Sequence, residues 1–125
     1  MGYNGFPRGV LDTVERYADR KMKYALVVHA ESNALANAAN IPRGATIYCT
    51  LHPCEECSKL IVQAGISRVV IPNGSAETRR KQLEERGDAD RVLNMELADL
   101  ILREGGVEVC PVITELPVCW DPILT

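Results

Sequence analysis

Residues 45–72 read ATIYCTLHPCEECSKLIVQAGISRVVIP, and their order of local signals decides the fold. ATIYCT, 45–50, is β-branched and aromatic, which predicts a strand. PCEECSKLIVQAG, 53–65, predicts a helix with Pro53 in its first turn and Gly65 just past its end. ISRVVIP, 66–72, predicts the next strand. A strand, a helix and a second strand at this spacing make a crossover between parallel neighbours.

The pattern continues downstream. Residues 76–104 are expected to be mostly helical, broken near Gly87-Asp88, with Leu93, Leu97, Leu100 and Ile101 sharing one stripe. VEVCPVI, 107–113, predicts a last strand, and Pro111 demotes it to an edge or a bulge. Two consecutive crossovers give a layered α/β domain. Upstream, 1–9 read as a Gly-, Asn- and Pro-containing loop, and 10–22 as a short helix or an ordered loop. YALVV, 24–28, is a short apolar run; helical signals at Ala34, Leu35, Ala38 and Ala39 are stopped by NIPRG. No repeat, low-complexity tract or linker interrupts the chain, so 1–125 is expected to be a single domain.

Composition narrows the function. The 125 residues are 46% apolar and 25% charged, ordinary for a soluble globular protein. No apolar run is long enough to span a membrane, and the N-terminus has neither a secretory-signal pattern nor a myristoylation pattern. The net charge of −3 favours a small substrate over a nucleic-acid polymer, and the basic clusters RKMK and TRRK read as solvated faces. Five cysteines without a signal pattern point to a reducing compartment and to metal or catalytic use.

His29, Cys54 and Cys57 offer the ligand types for one metal ion. Cysteines three apart at a helix start share a face, and the helix N-terminus favours the thiolate. Imidazole with two thiolates suits zinc, and three protein ligands leave the fourth position open, as in catalytic sites. Glu31, two residues from His29, can face such a metal without binding it and pass a proton from its water. A zinc clip without catalysis and a redox dithiol are the alternatives. The combination H-A-E, with P-C-x-x-C about 22 residues on, matches the general zinc-deaminase signature H-x-E…P-C-x-x-C.

On these residues the chain resembles the cytidine and deoxycytidylate deaminase superfamily, and within it the deoxycytidylate branch. GYNGFPRGV, HAESNAL, YCTLHPCEECSKLIVQAGISRVVI and GGVEV carry the resemblance. It implies a three-layer α/β/α sheet with parallel strands after the zinc helix, Zn2+ held by His29, Cys54 and Cys57, and Glu31 as proton shuttle. It further implies that Asn4 contacts the sugar, that the Ala30 N–H holds the base carbonyl, and that Arg8 contacts the phosphate. Asn33 is expected to bond backbone near the site. The implied reaction is dCMP to dUMP and ammonia, in a cytoplasmic homo-oligomer with dCTP and dTTP as effectors. The rivals are another cytosine-type substrate (cytidine, modified dCMP, free base or RNA base) and a non-catalytic regulatory subunit.

Members of that superfamily carry a helix and two strands ahead of the GYNG loop, whereas Met1 stands directly before it here. Upstream residues absent from this sequence are the favoured explanation; a neighbouring subunit over the edge, or a smaller rebuilt core, are the others. His52 is expected to line the pocket or pack at the helix start, since as a fourth ligand it would close the site. Cys49 reads as a buried small hydrophobe. Cys110 and Cys119 stand without a histidine nearby, and Trp120 is expected to anchor the C-terminus.

Overall fold

The computed structural model describes residues 1–113, which fall into two compact units. Cys119 and Trp120 lie outside the described residues.

The first unit, Met1–Ala38, is helical. Asp19 divides the undecided stretch into α1 (Val14–Ala18) and α2 (Arg20–Leu26). It closes α1 and caps α2, where its side chain accepts from the Met22 N–H. Thr13 caps α1 in the same way, accepting from the Arg16 N–H. The run at 24–28 therefore finishes a helix, and Val28 then forms an isolated bridge with Gly5. Phe6 stacks on Tyr17 with ring centroids 4.4 Å apart, fastening the N-terminal loop to α1. α3 (Ala30–Asn37) follows.

The loop before α1 lies against α3 at backbone distance. A Cβ on Gly2 would sit 2.2 Å from the Ala30 carbonyl oxygen and 2.5 Å from the Ala34 nitrogen, so only glycine fits there. Asn33 Nδ2 donates to the Tyr3 carbonyl at 2.7 Å, and Asn37 Nδ2 to the Asn33 carbonyl at 2.9 Å.

The second unit holds the sheet. It runs β1 (Thr46–Tyr48), α4 (Glu55–Gln63), β2 (Arg68–Pro72), α5 (Ser75–Glu85), α6 (Ala89–Glu104) and β3 (Glu108–Val112). The three strands are parallel in the order β1-β2-β3, as the two crossovers require. β2 is the middle strand and contributes Val69 and Ile71 to the core, while Ile47 does so from β1. Among the described residues β3 is an edge strand, which accommodates Pro111 in register with Ile71. Arg68 and Glu108 are register partners, and their exposed side chains pair at 3.6 Å. Such a surface pair contributes little, on the order of 0–1 kcal/mol.

Two expectations need correction. α4 begins at Glu55 with Cys54 as its N-cap, so Pro53 precedes the helix instead of sitting in its first turn. Cys54 is extended (φ −75°, ψ 176°), and the turn of chain around it is completed only after the proline. Gly65, at φ +80° after the C-cap Ala64, ends α4 as expected. The leucine stripe of α6 is also corrected: Leu93, Leu97 and Leu100 are exposed, while Met95, Ala98 and Leu102 are buried. α6 packs closely on α4, whose buried face is Cys57, Ser58 and Ile61. A close approach selects the face with the small Ala98 over the leucine face. Burial of Ile61, Leu102 and Val69 contributes roughly 1.5–3 kcal/mol each.

Candidate metal ligands and their surroundings

Each ligand candidate stands at the beginning of a helix. His29 is the N-cap of α3 and Cys54 the N-cap of α4; neither side chain makes a capping hydrogen bond. Cys57 lies in the first turn of α4. Both cysteines are buried and His29 is half-buried. The first turn of a helix carries unpaired N–H groups and the positive end of its dipole, which stabilises thiolates there. His29, Cys54 and Cys57 are a group that can hold a metal ion. One imidazole nitrogen and two sulfurs form a donor set that fits zinc, with one position of a tetrahedron left over.

Glu31 is half-buried in the first turn of α3, two residues from His29. Beside it the Ala30 N–H donates to Asn4 Oδ1 at 2.7 Å. Arg8 donates to Asn37 Oδ1 at the other end of α3. The loop thus holds Asn4 and Arg8, and the start of α3 holds His29, Ala30 and Glu31. Asn33, expected to bond backbone, does so through Tyr3.

In the second unit, His52 is buried at 3% exposure and packs at the start of α4. Its Nδ1 lies 2.8 Å from the Pro53 carbonyl oxygen, and its Nε2 lies 3.9 Å from Asp99 Oδ1 on α6. Asp99 in turn pairs with Arg103 at 2.8 Å. His52 is not in the metal-ligand group found among the described residues. Asp99 carried no signal in the sequence, because a single acidic residue in a charged helix looks like any solvated one. Ser58, next to Cys57, is wholly buried and its hydroxyl has no partner among the described residues. Cys49 is buried, as a small hydrophobe would be. Desolvation and the neighbouring Glu108 carboxylate push the Cys110 thiol up, which makes it a poor nucleophile.

Residues 1–73 match the family described as the cytidine and deoxycytidylate deaminase zinc-binding region. That span includes His29, Glu31, Cys54 and Cys57. The chain is similar to human deoxycytidylate deaminase, 46% identical over 77 residues, covering 57% of this chain and 43% of the human one. It spans less than half the length of that relative. Among solved structures it is similar to the dCMP deaminase of cyanophage S-TIM5 in its apo form, with TM-score 0.55 and 28% identity over 89% of this chain and 68% of that one. The same phage enzyme in complex with dCMP and dUMP gives TM-score 0.56 and 26% identity, over 89% and 70% of the two chains.

Proposed function

We propose that this chain, which belongs to the cytidine and deoxycytidylate deaminase zinc-binding family, acts in the hydrolytic deamination of dCMP to dUMP and ammonia. The observation that carries this reading is the donor set of His29, Cys54 and Cys57 with a carboxylate two residues from the histidine. A structural zinc site needs no such carboxylate. The cyanophage enzyme solved with dCMP and dUMP supports the choice of substrate.

Zinc held by these three residues supplies the Lewis acidity that makes water a nucleophile near neutral pH. Glu31 handles the protons. Its carboxylate takes one from the attacking water as the oxygen bonds to C4 of the cytosine, and gives it to ring N3. It then moves the remaining hydroxyl proton to the amino group, the C–N bond breaks, and ammonia leaves with the balance complete. In this role Asn4 contacts the deoxyribose, the Ala30 N–H holds the base carbonyl, and Arg8 faces the phosphate. The bond from the Ala30 N–H to Asn4 Oδ1 keeps that donor satisfied until a carbonyl replaces it.

A cytoplasmic homo-oligomer that responds to dCTP and dTTP completes the proposal. No helix among the described residues is long and apolar enough to cross a membrane. Among the described residues β1 pairs with β2 alone and Tyr48 is exposed, and an open edge of this kind favours addition of a further strand.

A substrate panel tests the assignment. Product formation from dCMP, cytidine, dCTP and cytosine is followed by the absorbance change from cytosine to uracil. Turnover confined to dCMP is the expected result; faster turnover of cytidine or cytosine would overturn the nucleotide assignment.

A further inference from the structure

We infer that His52 is a positioning residue for Cys54: its imidazole fixes the peptide leading into that ligand. The inference rests on the reading of Cys54 as a zinc ligand.

The Pro53 carbonyl belongs to the peptide that joins Pro53 to Cys54. A carbonyl oxygen only accepts, so the 2.8 Å contact makes His52 Nδ1 the donor and settles which nitrogen carries the hydrogen. The proline ring already fixes φ of Pro53. The remaining soft torsion before the rigid peptide is ψ of Pro53, which turns the carbonyl that His52 holds. Both torsions ahead of Cys54 are therefore constrained, and Pro53 itself is fully buried.

With its hydrogen on Nδ1, the imidazole leaves a lone pair on Nε2, which makes no hydrogen bond to the Asp99 carboxylate. Nε2 lies 3.9 Å from Asp99 Oδ1, while Asp99 Oδ2 is held by Arg103 Nε at 2.8 Å. Asp99 sits between the α6 residues Ala98 and Leu102, both fully buried, so its backbone is fixed in the core of this unit.

The test measures metal binding, not turnover. Zinc affinity of the full chain is determined by competition with a chromogenic chelator. Cobalt(II) is then substituted, and its thiolate charge-transfer and ligand-field bands report the geometry around the cysteines. His52→Phe keeps a buried ring and removes the donor. It is expected to weaken zinc roughly 10–100-fold, the usual effect of losing a residue that orients a ligand, and to alter the cobalt spectrum. His52→Asn, whose amide N–H can replace Nδ1–H, is expected to recover most of the affinity and the spectrum. Wild-type affinity and an unchanged spectrum in His52→Phe would overturn the clamp and leave the metal site standing. Should His52→Phe fail to fold, the smaller His52→Leu is read instead, with a similar loss of zinc affinity expected and unchanged affinity overturning the clamp. A wild-type chain that binds no zinc would overturn the metal site itself, and the clamp with it.

Discussion

Asn4 Oδ1 accepts the backbone N–H of Ala30 at 2.7 Å, which joins the N-terminal loop to the first residue of α3. Ala30 lies between His29 and Glu31, so this bond bears on the placement of both. It also satisfies a donor that the helix leaves unpaired at its start. Replacing Asn4 with Ala should cost about 1 kcal/mol of stability and reduce turnover. Asn4→Asp keeps the acceptor and should retain stability. Thermal melts of the two variants check this, and equal losses in both would contradict it.

Gly2 meets α3 more closely than any side chain allows. The Cβ of Gly2→Ala would fall 2.2 Å from the Ala30 carbonyl oxygen, an atom of rigid backbone. The loop must therefore lift away, with a penalty of roughly 1–3 kcal/mol. Increased amide exchange at Asn4 and Gly5 should accompany it. Unchanged exchange would show that the loop does not depend on this contact.

Removing the carboxylate of Glu31 should separate chemistry from metal binding. Glu31→Gln is expected to hold zinc at wild-type stoichiometry and to lose turnover by about 10²-fold or more. Metal analysis and an ammonia assay on the same preparation decide this. Near-normal turnover would remove Glu31 from the mechanism.

Ser58 offers a prediction of opposite sign. Its hydroxyl is fully buried with no partner among the described residues, and it lies on the buried face of α4. Ser58→Ala removes the unpaired group and improves helix propensity, so it should stabilise the protein by about 1 kcal/mol. A chemical denaturation midpoint measures the gain. Destabilisation would reveal a partner for this hydroxyl.

The parallel sheet and the ligand set were legible because their signals are local. The β-branched run at 45–50, Gly65 behind α4 and the crossover lengths can each be read within a few residues. H-A-E and P-C-x-x-C are equally short-range. The features that resisted reading depend on distant parts of the chain. α6 carries two periodic faces, and only its close packing on α4 selects Ala98 and Leu102 over Leu93, Leu97 and Leu100. Asp99 stands 3.9 Å from His52, a residue far away in sequence. Asp19 serves two helices at once, a double role that the mixed charges of 10–22 concealed.

The most direct measurement is ammonia release from dCMP, with zinc content determined in the same sample and a chelated sample alongside. Release that requires zinc, with one zinc bound per chain, is the result expected here. A chain that holds one zinc and releases no ammonia from dCMP would contradict the proposed function.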